Sequence, residues 1–476
     1  MNNLYQLRSA VLWALIALTV TNAWAQTPGN TPRLSERISQ NQVANEFTLL
    51  ETRAHGMRMF TTPFNEFDGL GDGPFTPGLD DGASAGQRPS LQDDGNLFLR
   101  MNGLDSQTCL ECHGLVSNAT IPATFGVGGA GGVGASAFPL MTDVNLNDSE
   151  GNGFARTNGR MINPPFNFGL GGVELLAKEM TAELQAIKAE AQANPSEVFD
   201  LITKGVYFGF ISYAGGVFDT SGIEGINDDL VVRPFGRKGG RATVRDFDRD
   251  ALQFHHGMQP EELFPDPNTD GDGDGVISEI TVGELSAMHI FQATLDAPAQ
   301  KKHSHTEAGE ALFSSIGCAQ CHIPQLTTES KFLPIAFPEV FTDPSANVFI
   351  QIDLTKKSPG FKQDHYGPGV VVPLFADLKR HDMGPDLAET TGDSLDPFFT
   401  TAKLWGVADT APYLHDGRAT TITQAILMHG GEAQTQRDNF DALNAEDQQA
   451  ILDFLGSLRV PFHATDELVK FLRKDK

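Results

Sequence analysis

The chain is short of cysteine, of positive charge and of long apolar runs, and each shortage narrows what it can be. Only four of its 476 residues are cysteine, and all four fall in two short strings, so none is left over for a disulfide framework. Lys and Arg total 34 against 61 Asp and Glu, a formal charge of −27. That balance disfavours nucleic acid and anionic membrane surfaces, both of which would repel it. A basic protein partner steered by charge stays open, beside the plainer reading of an acidic surface kept for solubility. Beyond the N-terminal segment no stretch approaches the roughly 20 apolar residues that a membrane helix needs. The mature chain is therefore expected to carry no membrane span.

What is present describes an exported globular protein. The length suffices for two or three domains with their own cores, and 33 Phe supply ample burial. The 49 Gly and 27 Pro imply much irregular backbone between elements. At the N-terminus Arg8 ends a polar stretch, an apolar run extends from Ala10 to Val20, and Ala23-Trp24-Ala25 fits a cleavage site. Residues 1–25 thus read as a signal peptide, with the mature protein beginning at Gln26 in the periplasm or outside the cell. An uncleaved anchor is the alternative.

The cysteines decide the class. Cys109-Leu110-Glu111-Cys112-His113 and Cys318-Ala319-Gln320-Cys321-His322 are both C-x-x-C-H strings. Two intervening residues let both sulfurs reach the vinyl groups on one porphyrin edge, and the adjacent His swings under the iron as proximal ligand. For this composition one such string arises by chance on the order of 0.001 times, and here there are two. A zinc site fits poorly, because a His directly after the second Cys is badly placed to join that pair on one tetrahedral ion. Two covalent haem c groups are expected, one on Cys109, Cys112 and His113, the other on Cys318, Cys321 and His322.

Helical periodicity runs from Leu34 to Phe60 and again from Val173 to Ala193, where Leu175, Leu176, Met180, Leu184 and Ile187 share a side. Gly69 to Ser90 and the glycine-rich Phe125 to Ala137 read as loops. Thr306 can cap a helix that delivers Gly317-Cys318, and Asn444 can cap a closing helix with Ile451, Phe454, Leu455 and Leu458 as its apolar stripe. A boundary near residue 300 divides an N-terminal haem domain, 26–300, from a C-terminal cytochrome c unit, 301–476. Before that boundary Asp270, Asp272 and Asp274 alternate with glycines, and converging oxygens on such a loop suit Ca²⁺. The twelfth position is Thr281, unlike an EF-hand, so Glu279 or Glu284 would complete the set. An acidic turn without metal is the alternative.

From about Phe235 onward the chain resembles the di-haem oxidoreductase family, a branch of the bacterial di-haem cytochrome c peroxidase superfamily. The resemblance is carried by Phe235-Gly236-Arg237-Lys238 to Asp246 and by Asp377 to Pro385. Its strongest part runs from Leu404-Trp405-Gly406 through Pro412-Tyr413-Leu414-His415-Asp416-Gly417-Arg418 to His429-Gly430-Gly431. It implies a mainly α fold: two cytochrome c-like domains with long Gly/Pro-rich loops and two haems close enough for electron transfer. It also implies a peroxidase, in which the C-terminal haem passes electrons, received from a small redox protein, to an N-terminal haem that reduces hydrogen peroxide. An electron-transfer cytochrome, or an oxidase or oxygenase acting on a protein or organic substrate, uses the same motifs.

In the peroxidase relatives the axial residue lies fourteen positions after the His of the Pro-Tyr-x-His-Asp-Gly string, which points to His429 on the second iron, with Met383 and Met428 as alternatives. Those relatives use Met or Tyr there, so His would lower the potential. His415 is expected to support a haem pocket and Arg418 to pair a propionate. Trp405 either lies between the haems or fills core. A proton donor is needed where peroxide is cleaved, and Glu174, opening an apolar helix, is the candidate; otherwise it merely favours the helix dipole. His255, His256 and Met258 are equal candidates for the sixth ligand of the first iron.

Overall fold

The structure is a computed structural model that describes residues 31–70, 107–111, 113, 144–145, 156–157 and 163–461 apart from 265, 272, 301, 302, 392 and 393, together with 468 and 470. The signal segment, most of the Gly69 to Ser90 loop and the Phe125 to Ala137 loop lie outside the described residues, as do Cys112 and Asp272.

Helices form where caps and apolar faces coincide. Helix α1 (Leu49–Thr61) starts at Thr48, which exchanges hydrogen bonds with Glu51 in a capping box. The long helix α2 (Leu170–Ala193) covers the predicted stretch and begins three residues earlier, after Gly169 in the left-handed region. Helices α3 (Val244–Ala251) and α4 (Val282–Ala293) are capped by Thr243 and Thr281. In the C-terminal part, α5 (Ser304–Ser315) leads to the second C-x-x-C-H string, followed by α6 (Ile422–Leu427), α7 (Gln434–Asp441) and α8 (Ala445–Leu455). Asn444 caps α8 as expected, its side chain accepting from the Glu446 and Asp447 amides.

The expected mainly α architecture of two cytochrome c-like domains is not what the fold presents. About 37 % of the structure is helix and 17 % strand, and among the described residues the strands form seven sheets of two or three strands each. The longest is an antiparallel meander of Val198–Thr203, Val206–Ala214 and Val217–Asp219. Its turns are made by Lys204-Gly205 and Gly215-Gly216, both pairs at positive φ, as a two-residue hairpin of the right twist requires. A reading based on helical periodicity passes over such runs, whose alternating β-branched and aromatic residues have period two.

Three apolar clusters hold these elements together. The largest packs Leu175, Leu176, Met180 and Leu184 of α2 against Leu333, Ile352, Val370 and Leu374 from beyond residue 300. Trp405 lies in this cluster, 3 % exposed, with its ring near Phe361 and its Nε1 buried without a hydrogen-bond partner among the described residues. The second cluster surrounds Cys109 and contains Phe60, Phe64, Leu252, Met258 and Phe291. The third surrounds Cys318 and contains Phe313, Phe375, Phe440 and Phe454. Two close helix crossings depend on glycine: Gly56 of α1 lies on the Ala287 carbonyl of α4, and Gly309 of α5 lies on the Ala450 carbonyl of α8, with no room for a Cβ.

Candidate functional site

The two C-x-x-C-H strings fold alike. Each opens a single 3-10 turn, Cys109–Glu111 and Cys318–Gln320. In each the amide of the His donates to the carbonyl of the first Cys, at 2.9 Å for His113 and 3.0 Å for His322. Each imidazole then stands 6.2 Å from a phenylalanine ring, Phe60 for His113 and Phe313 for His322. The same local chain therefore places a His against an aromatic wall twice.

Around the second string Cys318, Cys321, His322 and His429 all lie within the described residues. Helix α5 ends at Ile316, and Gly317, at φ 98°, turns the chain into Cys318. His322 Nδ1 faces the Phe375 carbonyl at 3.0 Å. Helix α6, capped by Thr421 and Gln424, delivers His429 just past its end, where His429 Nδ1 faces the Ala425 carbonyl at 2.8 Å. With each Nδ1–H committed to a carbonyl, each Nε2 is left as a lone-pair donor for a metal. The two ring centroids are 6.5 Å apart. Imidazoles on opposite sides of one metal, each nitrogen about 2 Å from it, hold their centres roughly 6 Å apart. These residues fit a six-coordinate haem iron. Burial, with the charge of His429 adding to it, pushes His322 down to about 4, so the ring is neutral and able to ligate near neutral pH. Of the alternatives, Met428 is 37 % exposed, and Met383 lies in the turn that touches Gly430 by its backbone.

His381 lies beside this pocket and is missed by a reading of the sequence. Its Nε2 is 2.8 Å from Asp377 and its Nδ1 2.7 Å from Glu432. Burial disfavours the cation, but hydrogen bonds to Asp377, Cys321 and Glu432 outweigh it and push His381 up to about 11. Asp377 and His381 meet because the chain bends at Leu378, at φ 64°, before the short strand Arg380–Asp382.

The first string is met by His255 and His256, on a π-turn, Leu252–His256, that continues α3. His256 Nε2 is 3.7 Å from Cys109 Sγ, and the His256 ring packs edge-on against Phe64. Burial, then the charge of His255, push His113 down to about 4, with the Pro165 carbonyl opposing and His256 adding a smaller push. Met258 is fully buried in the same cluster.

The remaining expected residues are placed elsewhere. Glu174 is fully buried, its Oε1 2.8 Å from Lys178 Nζ and its Oε2 2.8 Å from His289 Nε2. Burial would raise its pKa, but the charges and hydrogen bonds of His289 and Lys178 hold it well below the usual carboxylate range. An ionised Glu174 can accept a proton and pass it on, but it is not the resting acid that the sequence suggests. His415 stacks on Phe399 with centroids 4.5 Å apart and lies 3.5 Å from Glu389. Arg418 is 41 % exposed and pairs with Asp416 at 2.5 Å, while its Nη1 donates to the Asp386 carbonyl. In the acidic loop Asp270 accepts from the Gly273 and Gly275 amides, and Asp274 from the Val276 amide. Glu279 is turned inward, accepting from the Gln259 amide, and Glu284 caps α4 while pairing with Arg37. Among the described residues these carboxylates do not converge as a metal-binding set.

Residues 364–458 match the family model described as "Di-haem oxidoreductase, putative peroxidase". That segment contains His381, His415 and His429, and the match supports a di-haem redox role. No curated protein matches the chain. Among solved structures, the chain is similar to Kuenenia stuttgartiensis hydrazine synthase pressurized with xenon, at 12 % identity over 60 % of this chain and 87 % of that one, TM-score 0.27. It is also similar to a MauG-like protein associated with microbial copper homeostasis, at 16 % identity over 61 % of this chain and 88 % of that one, TM-score 0.26.

Proposed function

We propose that this chain is an exported di-haem c-type oxidoreductase of the peroxidase kind, in which the Cys318, Cys321, His322 and His429 site relays electrons to a reacting site at Cys109, Cys112 and His113. The observation that carries the reading is the pairing of His322 with His429, each with Nδ1 tied to a carbonyl and their rings 6.5 Å apart. Bound there, haem supplies one-electron chemistry at iron, with a bis-His site at the low end of the haem potential range. Phe313, Phe375 and Phe454 exclude water from the His322 side, and the Phe375 and Ala425 carbonyls fix both ring planes. At the other string Phe60, Phe64 and Met258 supply an equally apolar wall. Hydrogen peroxide is the proposed small oxidant and a basic redox protein the donor, drawn to a surface of formal charge −27.

A pure electron carrier is the second reading, and it is favoured by one observation. His255 and His256 both lie by His113, and either could close the sixth position that peroxide needs open. The test is protein matured in a host that attaches c-type haem. A covalent mass gain of two haems, one low-spin and one high-spin signal at half reduction, and steady peroxide turnover with a reduced donor support the peroxidase. Two low-spin signals without turnover support the carrier, and no haem mass at all overturns both.

A further inference from the structure

Behind the wall of the first string's pocket runs a line of buried titratable groups that electron transfer does not use. It begins at a small surface cavity, partly open to solvent and lined by Lys178, Thr181, Thr243 and Glu339 among others. Glu339 Oε2 accepts from Thr243 Oγ1 at 2.5 Å, and its Oε1 lies 3.7 Å from Lys178 Nζ. Lys178 Nζ also reaches Glu174, whose far oxygen meets His289 Nε2 at 2.8 Å. One ligand-type atom each from Glu174, His289 and Glu339 lies within 4.8 Å of the other two. This trio is not a metal centre, because the Lys178 ammonium already stands where a cation would.

The line continues on α4. His289 Nδ1 is buried with no hydrogen-bond partner among the described residues, so this end of the ring is open to a proton or a water. Three residues on, Gln292 Nε2 donates to both oxygens of Asp248, at 2.6 and 2.7 Å. Asp248 is 2 % exposed and forms no ion pair among the described residues. A carboxyl buried without a cation stays protonated; burial, with the nearby charge of Glu174, pushes Asp248 well above the usual range, against Gln292 and Arg245. One turn along from Asp248, Leu252 enters the cluster that holds Cys109, and His255 and His256 follow.

We propose that Glu339, Glu174, His289 and Asp248 form a proton route from the surface cavity to the first string's pocket, with Asp248 as the acid that stores the proton next to it. The proposal rests on the peroxide reading above. Reducing one H₂O₂ breaks the O–O bond, forms two waters and consumes two electrons from the redox centres and two protons. Asp248 gives up a proton, becomes a carboxylate, and regains a proton through His289 from the Glu174 and Glu339 side, which solvent in the cavity refills. Lys178 Nζ lies within reach of both carboxylates, 2.8 Å from Glu174 and 3.7 Å from Glu339.

The test mixes half-reduced, haem-loaded protein with H₂O₂ and follows proton uptake with a pH-indicator dye beside the haem absorbance. Asp248→Asn and Glu339→Gln are each expected to slow proton uptake at least tenfold while leaving haem content and resting spectra unchanged. Infrared spectra of the isolated protein are expected to show a protonated-carboxyl band that Asp248→Asn removes. Uptake as fast in both variants as in the parent overturns the route, and so does the absence of that band. If the parent protein takes up no protons with peroxide, the peroxidase reading itself fails and the route's role falls with it. The infrared band, which needs no peroxide, then reports separately on whether Asp248 is an acid.

Discussion

Lys178→Met is the sharpest perturbation of the fold, since it removes one charge from a pair with almost no access to water. Glu174 is 0 % and Lys178 8 % exposed, with 2.8 Å between Nζ and Oε1. At an effective dielectric of about 20 that separation corresponds to an attraction of about 6 kcal/mol, most of which offsets the cost of removing both ions from water. Removing one partner forfeits the attraction and leaves the other charge buried. His289 Nε2 and the Val244 amide still hold Glu174, but the Pro334 carbonyl loses its donor as well. The expected loss is about 3–5 kcal/mol. It is read from the denaturant midpoint of haem-loaded protein at neutral pH, with an unchanged slope showing that the transition itself is the same. Lys178→Met combined with Glu174→Gln removes both charges and is expected to recover about 2 kcal/mol or more of that loss. A single variant within about 1 kcal/mol of the parent, or a double variant in which the losses simply add, refutes the reasoning.

Other outcomes follow from the geometry. His429→Ala should abolish the bis-His low-spin signature of one haem while mass spectrometry still finds both haems attached, and a spectrum unchanged from the parent rules His429 out as ligand. Ser in place of both Cys318 and Cys321 should leave one haem's mass and the spectrum of the first site alone. Burial pushes His415 down to about 4 against the opposing charges of Asp416 and Glu389. The unfolded chain therefore takes a proton near pH 6.5 that the folded protein refuses until about pH 4. Stability from this group is intact above that window and falls by up to about 3 kcal/mol as pH drops through it, and His415→Phe should flatten that part of the pH–stability curve. Gly56→Ala forces a methyl onto the Ala287 carbonyl and should cost about 1–3 kcal/mol in thermal or denaturant unfolding.

The parts of the site legible in the sequence were those set by local chemistry. The C-x-x-C-H strings dictate their own turn, the apolar stripe of Leu175, Leu176, Met180 and Leu184 dictates α2, and Asn444 dictates where α8 begins. His429 was reached through the resemblance, fourteen positions after His415, and its ring lies 6.5 Å from that of His322. Glu174 shows the opposite case. As the opening of an apolar helix it suggested a reactive acid, but Lys178 one turn on and His289 from a helix more than a hundred residues away make it an ion-pair partner. Asp248 and Glu339 gave no local signal, since what distinguishes them is burial and the company of other elements. The shortest strands were missed for a related reason: two or three extended residues carry too little periodicity to register, and their pairing is decided by distant chain. The acidic loop suggests a metal site because its carboxylates alternate; Asp270 and Asp274 accept from backbone amides and Glu279 from the Gln259 amide, while Asp272 lies outside the described residues.

Among the described residues, the leucines of α2 interleave with residues from beyond residue 300, which ties the two halves of the chain together in one apolar cluster. Two electron-carrying centres, where the proposed reading puts them at the two C-x-x-C-H strings, would gain from that arrangement. Tunnelling rates fall steeply with separation, so a spacer that cannot stretch keeps transfer from one centre to the other at a constant pace whatever is docked outside. Such stiffness also means that damage anywhere in the leucine seam would be felt at both ends of the electrical path at once.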